Sequence, residues 1–222
     1  MQQNIAGIST RAFIDLTADP DVFCGGGSVA AVTAAGAAAT ALLVLRLNVK
    51  RRANASVREG IQLAIATTEA AIEEFLASAD DDISTLAELL AAQRALKAGG
   101  SNDAYLMALT NAAESPLRMA ERIASFLDVV EAQLPISSRF TVSDLGAAAV
   151  LAEGAARAAL LTAEVNIALL GDANGSDPVV VRRLEERRAE LRSKVVQRSI
   201  AIEESTRVMM LGTGSDGRVR AR

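Results

Sequence analysis

The chain of 222 residues has no histidine and no tryptophan, a single cysteine, and aromatic residues at only 3% of its positions. Without histidine, a Ser-His-Asp triad, a Cys-His nucleophile pair and a histidine-based metal site are all excluded. Acid–base chemistry would therefore fall to Asp, Glu, Lys, Tyr or Cys24. One cysteine also excludes an internal disulfide, and with no histidine near it an inert thiol is the expected state of Cys24.

The apolar half of the sequence is short of the residues that favour strands. Alanine is the best helix former, whereas β-branched and aromatic side chains favour sheets. Apolar residues recur mostly at three- and four-residue spacings, and no stretch of any length alternates as a strand does. The sequence predicts an all-α fold, a bundle of five or six long helices. We expect one domain over residues 1–211 and a flexible tail over residues 212–222.

Capping residues, glycines and prolines mark the ends of the predicted helices. These helices cover residues 9–16, 28–49, 55–98, 101–135, 143–170 and 178–210. Pro116 falls inside the fourth pattern, where it is expected to kink the helix or to begin a new one. Ser143 and Asp144 are expected to cap the fifth helix.

Charge and leader signals indicate a soluble protein. A net charge of −4 argues against nucleic-acid binding, which needs a basic excess. No signal peptide opens the chain, so the expected location is the cytoplasm.

Residues 22–45 carry no charge and are long enough to cross a bilayer. Their residues before Leu42 are mostly Ala, Gly and Thr, however, which favours a buried helix and no membrane.

One predicted helix is apolar on almost every side. Between Gly146 and Leu161 only Glu153 and Arg157 interrupt the apolar residues. Such a helix has to be buried all round, and a second subunit can supply part of the cover. The sequence therefore predicts a homodimer.

The glycine turn, defined here as Gly25, Gly26 and Gly27, stands directly before Ser28 at the start of a predicted helix. Glycines allow torsions that are closed to other residues and let a ligand approach the backbone. Free N–H groups at a helix start favour an anion or a polar ring edge. The alternative is a flexible linker, and no phosphate-loop or dinucleotide pattern is present.

Three adjacent aspartates, Asp80, Asp81 and Asp82, interrupt a long helical pattern. Neighbouring carboxylates repel one another, which is expected to raise the pKa of at least one of them. Asp82 precedes Leu86 by four residues and Leu89 by seven, so it shares their apolar stripe. A partly buried carboxyl of this kind is a candidate acid–base group. The alternative is a solvated acidic patch.

Four further polar residues have both an ordinary and a functional interpretation. Arg51 and Arg52 follow the second predicted helix, where they complement its dipole or hold an anionic ligand tail. Asp144 can serve as a cap of the fifth predicted helix. Asn166, on an apolar helix, is expected to make a polar contact between helices.

Four segments in combination resemble a known family. They are Arg11-Ala12-Phe13, Gly25 to Ala31, Ser115-Pro116-Leu117, and Ser143 to Gly146 running on to Asn166-Ile167. Together they resemble the cyclodeaminase/cyclohydrolase family of folate enzymes. The spacing between the pair Arg51-Arg52 and Asp82 is also similar to that of the family. By this resemblance the catalytic aspartate of the family falls on Asp82. The resemblance extends to about Met210.

The resemblance implies an all-helical homodimer that binds a tetrahydrofolate derivative in a cleft, without a metal or another cofactor. Asp82 would be the catalytic residue. The implied substrate-binding residues are Gly25, Gly26, Gly27, Ser28, Arg51, Arg52, Asp144 and Asn166. Among these, the glycine turn would receive the pterin, and Arg51 or Arg52 would hold the glutamate tail.

Three functions are open at this point. The first is a methenyltetrahydrofolate cyclohydrolase, which opens the methenyl bridge to formyltetrahydrofolate; a free-standing chain without a formiminotransferase half favours it. The second is a formimidoyltetrahydrofolate cyclodeaminase. The third is a non-catalytic helical dimer that binds a ligand or a protein partner through the same cleft. It rests on departures from the family pattern at Cys24, Lys50, Leu86 and Leu96.

Overall fold

The computed structural model describes residues 4–22 and 24–212, and in these residues the chain forms helices and no strand. The α-helices are α1 (Thr10–Ala18), α2 (Gly26–Asn48), α3 (Arg58–Lys97), α4 (Asn102–Gln133), α5 (Val142–Asp172) and α6 (Pro178–Leu211). Short 3-10 turns cover Ile5–Gly7, Arg52–Val57 and Leu134–Ile136. The predicted all-α bundle of five or six long helices is confirmed. The predicted tail lies, apart from Gly212, outside the described residues.

Several helix starts follow the sequence signals closely. The side chains of Ser9 and Ser101 accept hydrogen bonds from the N–H groups of Ala12 and Ala104, which fixes the starts of α1 and α4. Asp177 accepts in the same way at the start of α6, directly before Pro178.

The start of α5 differs from the sequence expectation. The helix begins at Val142, so Ser143 and Asp144 lie within its first turn and do not cap it. A turn before the helix explains the shift. The Ser138 hydroxyl accepts from the Thr141 N–H at 3.2 Å, and this turn leads directly into Val142.

Helices α2, α3, α4 and α5 form a ring in which each packs on the next, and α6 packs on α4 and α5. Helix α2 runs antiparallel to α3. Ser28, near the start of α2, contacts Ala79, whereas Arg46, near its end, pairs with Glu69 at 2.7 Å.

Buried alanines allow the two central helices to approach their neighbours closely. In α2 these are Ala30, Ala31, Ala34, Ala35, Ala37, Ala38 and Ala41, and in α5 Ala148, Ala149, Ala152, Ala155, Ala156, Ala159 and Ala163. Both helices are long and apolar enough to cross a membrane by length and composition alone. Each packs against at least two other helices, and this packing buries 61% of the apolar stretch of α2 and 50% of that of α5.

Helix α6 is polar, and ion pairs join it to the bundle. Arg187 donates from two nitrogens to both carboxylate oxygens of Glu121 on α4, each at 2.7 Å. Hydrogen bonding from Arg187 holds the pKa of Glu121 below its ordinary value. Arg188 pairs with Glu164 on α5 at 2.9 Å. These pairs lie at the helix edges, where a paired side chain keeps contact with water.

The lengths of the helices create an opening inside the bundle. Helix α2 has 23 residues, whereas α3 has 40, α4 has 32 and α5 has 31. The larger core cluster contains residues of α2, but the second cluster is built from α3, α4, α5 and α6 without it. A cleft therefore opens where α2 begins, between the three helices that continue past it.

Candidate active site

The cleft encloses about 140 Å³ at the N-terminal end of α2. Its lining residues are Gly25, Gly26, Gly27, Asp82, Thr85, Leu86, Leu89, Ala112, Ser115, Pro116, Thr162 and Asn166. Sites that enclose a drug-sized ligand measure about 300–1,000 Å³, so this cleft has room for one ring system, with the rest of a larger ligand outside. Among the described lining residues, Asp82 is the only ionisable one.

Asp82 is held against the first turn of α2. The Ser28 N–H donates to Asp82 Oδ2 at 2.9 Å. The Ser28 Oγ lies 2.9 Å from the same oxygen and 3.1 Å from the Ala79 carbonyl oxygen. Its single hydrogen can be donated to one of these acceptors at a time. Asp82 can therefore keep a hydrogen-bonded position in both its ionised and its protonated state.

Two opposing effects act on the Asp82 carboxyl. Burial is the larger effect and raises the pKa of Asp82 above its ordinary value of 3.8. Hydrogen bonds from the side chain and the backbone of Ser28 favour the charged form and offset part of this rise. The sequence attributed a raised pKa to repulsion within the aspartate triplet, whereas the structure assigns it to burial.

The three aspartates have separate surroundings. Asp80 Oδ1 accepts from the Ile5 N–H at 3.0 Å and so ties the N-terminal segment to α3. Asp81 is exposed, and Asp82 lines the cleft. The alternative of one solvated acidic patch therefore does not describe Asp82.

Gly27 makes the approach of Asp82 possible. A Cβ atom added at Gly27 would overlap the Asp82 carboxyl oxygens, whereas one added at Gly25 or Gly26 would meet nothing within 4 Å. None of these three glycines has a positive φ. The sequence suggested that the glycine turn is needed for torsions closed to other residues, and the structure does not support this. The glycine turn provides contact space at Gly27 and open space toward the cleft at Gly25 and Gly26.

The first turn of α2 also supplies backbone donors. The N–H groups of Gly26 and Gly27 precede the first helical hydrogen bond, which runs from Val29 to the Gly25 carbonyl. They have no acceptor in the part of the chain that the structure describes. Helix N-termini favour negative charge and polar acceptors, so this wall of the cleft suits an acceptor atom of a ligand.

Asn166 reaches the cleft from α5. Its Nδ2 donates to the Ala112 carbonyl oxygen of α4 at 2.8 Å, which is the interhelical polar contact predicted from the sequence. Its Oδ1 has no hydrogen-bond partner among the described residues. The cleft thus combines donors on α2, an acceptor on α5 and a titratable carboxyl on α3.

Ser28 does not line the cleft. Its exposure is 0%, because it lies behind Asp82 and in contact with Ala79. Direct contact between the Ser28 side chain and a ligand in this cleft is excluded by this burial. Its observed contacts orient Asp82.

Arg51 and Arg52 lie at the opposite end of α2 from the cleft. The 23 residues of α2 rise by about 1.5 Å each, so the two ends are separated by about 35 Å. Arg51 Nη1 donates to the Ile136 carbonyl oxygen at 2.6 Å. The predicted contact of these arginines with the glutamate tail therefore cannot form in the cleft of the same chain unless the ligand spans that distance.

Asp144 lies at the same distant end. It is 22 residues before Asn166 on one continuous helix, a rise of about 33 Å. Within one chain the structure therefore brings together Asp82, Asn166 and the glycine turn, but not Arg51, Arg52 or Asp144.

Sequence reasoning missed several lining residues. The lining includes the hydroxyl-bearing residues Thr85, Ser115 and Thr162. Ser115 stands in one of the four segments that resemble the family, whereas only helical register relative to Asp82 and Asn166 marks Thr85 and Thr162. The departures from the family pattern are dispersed. Leu86 lines the cleft and Cys24 is buried beside it, 3.6 Å from the Thr17 hydroxyl. Lys50 lies at the far end of α2, and Leu96 lies 14 residues beyond Asp82 on α3.

Larger grooves lie elsewhere on the described surface. One between α3 and α4 measures about 580 Å³ and one between α4 and α6 about 690 Å³. Two pairs of opposite charges in these grooves form ion pairs, Arg122 with Glu74 and Arg198 with Glu131. No group of three or more Cys, Asp or Glu side chains in the described residues is placed to hold a metal ion.

Comparison with known proteins identifies the family. A profile described as formiminotransferase-cyclodeaminase matches residues 9–184, which include every lining residue of the cleft. The chain belongs to this formiminotransferase-cyclodeaminase family.

The fold is similar to that of a solved formiminotetrahydrofolate cyclodeaminase from Thermotoga maritima. The TM-score is 0.83 at 19% sequence identity, and the match covers 91% of this chain and 98% of that one. No curated protein sequence matches the chain.

The contact between Gly27 and Asp82 leads to a matched pair of substitutions. Gly27→Ala should lower the free energy of unfolding by about 1–3 kcal/mol, because the new methyl group displaces the Asp82 carboxyl. Gly26→Ala adds the same methyl group in open space and should leave stability unchanged or slightly higher. Urea unfolding of both variants measures the difference, and equal stabilities would contradict the assigned contact.

The raised pKa of Asp82 predicts how stability depends on pH. Because the folded protein binds this proton more tightly than the unfolded chain does, stability falls as the pH rises from about 4 through the folded-state pKa. Asp82→Asn removes this loss, so its free energy of unfolding relative to the natural chain should increase over that pH range and then level off. Urea unfolding at several pH values measures the effect. Asp81→Asn is the control for removing one charge from the triplet, and a pH-independent difference for Asp82→Asn would contradict the assignment.

Proposed function

We propose that the protein is an enzyme of folate one-carbon chemistry that acts on the one-carbon unit bridging two nitrogens of tetrahydrofolate. The observation that carries this proposal is the position of Asp82, a partly buried carboxyl with a raised pKa and the only ionisable group among the described lining residues. Membership of the formiminotransferase-cyclodeaminase family supports the substrate class.

One carboxyl suffices for the hydrolytic reaction. Ionised Asp82 accepts a proton from water as the water oxygen bonds to the methenyl carbon. Protonated Asp82 then donates to the ring nitrogen as the bond between that nitrogen and the carbon breaks, and the remaining hydroxyl proton leaves to solvent as the formyl group forms. A raised pKa brings both proton transfers closer to neutral pH, and the Ser28 hydroxyl accommodates both states of the carboxyl.

This reaction, methenyltetrahydrofolate cyclohydrolysis, is our first proposal, and the formimidoyltetrahydrofolate cyclodeaminase reaction is the second. In the second reaction the formimino carbon is bonded to one of the two folate nitrogens, and the other nitrogen attacks it and loses its proton. The bond from this carbon to the amino group then breaks, and ammonia leaves after protonation. The observation favouring it is the name of the solved relative, a formiminotetrahydrofolate cyclodeaminase. Both reactions need one group that accepts and then returns a proton, and neither route as written uses a metal or another cofactor.

The cleft suggests how the substrate lies. Its volume of about 140 Å³ suits the pterin ring, held between the backbone donors of the glycine turn and Asn166 Oδ1. The aminobenzoyl and glutamate parts then extend outside. Proposed binding by Arg51, Arg52 or Asp144 requires a second subunit or an extended ligand, because these residues lie about 30 Å or more away along α2 and α5.

We also propose a homodimer, formed through the outward faces of α2 and α5. Exposed apolar side chains recur along both helices: Val29, Leu43 and Leu47 on α2, and Leu151, Leu161, Val165 and Leu169 on α5. Gly36 and Gly154 leave open space within these two stripes. Apolar stripes at this spacing are typical of faces that pack against further helices. We propose a cytoplasmic location as well, because a dimer of this kind covers the exposed apolar faces of α2 and α5 with protein.

Replacement of Asp82 tests the catalytic proposal. Asp82→Asn keeps the shape of the side chain and removes its titratable proton, so the rate should fall by roughly 100- to 10,000-fold. Loss of the methenyl chromophore measures the first reaction, and ammonia release from formimidoyltetrahydrofolate measures the second. Thermal stabilisation by 5-formyltetrahydrofolate should persist, because Asp82 is assigned to proton transfer.

The exposed neighbour provides the control. Asp81→Asn should retain activity, since Asp81 points away from the cleft. Full activity of both variants would contradict the role of Asp82. Stabilisation of the natural chain by folate, with turnover in neither assay, would instead support the non-catalytic binding protein.

The proposed interface predicts the effect of a charge on α5. Leu161, 63% exposed, lies on the stripe, so Leu161→Glu should convert a dimer of about twice 23.1 kDa into a monomer. Leu63→Glu on α3, at a site 70% exposed and outside the stripe, should leave the dimer intact. Sedimentation velocity distinguishes the two. A monomeric natural chain at micromolar concentration would contradict the proposal.

A further inference from the structure

Pro116 occupies a position in α4 where a proline is locally unfavourable. Helix α4 runs through it without interruption, from Asn102 to Gln133, and Pro116 is buried. In an α-helix the N–H of each residue donates to the carbonyl four residues earlier, and proline has no N–H. The Ala112 carbonyl oxygen therefore has no partner within its own helix.

The other prolines of the chain are placed where their missing N–H costs little. Pro20 lies in the turn after α1, Pro135 lies in a short 3-10 turn, and Pro178 is the first residue of α6. Pro116 alone lies in the interior of a long helix, and it lines the cleft. The general absence of proline from helix interiors is thus violated at the candidate active site. At such a site a functional reason is the expected explanation for an unfavourable residue.

The free carbonyl is used by Asn166. Asn166 Nδ2 donates to the Ala112 oxygen at 2.8 Å. A carbonyl oxygen accepts only, so the amide must present its NH₂ group to α4, and its orientation follows from this chemistry. The Asn166 Oδ1 is thereby turned away from Ala112, and it has no partner in the described chain.

We propose that Pro116 is a positioning residue which, by leaving the Ala112 carbonyl free for Asn166 Nδ2, fixes Asn166 Oδ1 as a hydrogen-bond acceptor for the bound ring. An alanine at position 116 would return an N–H to the helix, and this N–H would share the Ala112 oxygen with Asn166 Nδ2 and weaken the hydrogen bond between them. The amide would then be held less firmly, and the direction of its acceptor would be less fixed.

The arrangement predicts the polarity of the ligand. The ring must present an N–H to Asn166 Oδ1 on α5 and an acceptor atom to the Gly26 and Gly27 N–H groups on α2. An aminopyrimidinone edge carries both kinds of group. Its identification with the pterin of a folate rests on the function proposed above, whereas the positioning of Asn166 by Pro116 does not.

A double-mutant cycle tests the proposal with 5-formyltetrahydrofolate as the probe and calorimetry as the readout. Asn166→Ala should weaken binding about tenfold, the effect of losing one hydrogen bond. Pro116→Ala should weaken binding by about threefold to tenfold while the Tm stays the same or rises, because the helix regains a hydrogen bond. The double variant should bind no more weakly than Asn166→Ala alone. Pro178→Ala, a proline change at a residue that does not line the cleft, is the control and should not alter affinity.

A second readout needs no ligand. The side-chain NH₂ resonance of Asn166, identified by its absence from the spectrum of Asn166→Ala, should exchange with solvent faster in Pro116→Ala than in the natural chain. An unchanged resonance would overturn the proposal, as would a lower Tm with losses of affinity that add. A released amide in a protein that binds no folate would contradict the proposed function and leave the positioning role standing.

Discussion

The contact between Asp82 and the first turn of α2 determines the rest of the site. Gly27 has no side chain, so the carboxyl can lie against the backbone, where the Ser28 N–H and hydroxyl reach it. This contact fixes where α2 begins relative to α3. It therefore determines the depth of the cleft that opens where α2 begins. The same contact places the carboxyl between a helix N-terminus, which favours its charge, and buried surroundings, which disfavour it.

The other polar groups of the cleft come from interruptions of regular helices. The first turn of α2 leaves N–H groups without helical acceptors, and Pro116 leaves the Ala112 carbonyl without a helical donor. Asn166 converts the second of these into an oriented side chain. Small and apolar residues thus supply much of the hydrogen-bonding capacity of the site, because the groups concerned belong to the backbone. Side-chain chemistry is concentrated in Asp82 and Asn166.

Periodicity was sufficient to predict the helices and to place Asp82 among core-facing residues, because its spacing to Leu86 and Leu89 is local. Interhelical distance is not local, and here the prediction was weaker. Arg51 stands 24 residues after Gly27, yet an intervening straight helix places it about 35 Å away. The burial of Ser28 and the pairing of Ala112 with Asn166 depend on which helices become neighbours. Pro116 was visible in the sequence as an irregularity, but its partner was not.

The composition of the cleft limits the chemistry that the proposed function can use. Among the described lining residues one carboxyl can ionise, whereas the hydroxyls of Thr85, Ser115 and Thr162 do not ionise near neutral pH. A reaction that needs separate acid and base groups at the same moment would lack one of them. A reaction in two stages needs only one group, provided that it stays in place in both protonation states. The Ser28 hydroxyl meets this condition, because it has the Ala79 carbonyl as an alternative acceptor whenever Asp82 is protonated. Bridge opening by water and ring closure with loss of ammonia both proceed in two such stages, so the hydrogen bonding around Asp82 suits either reaction.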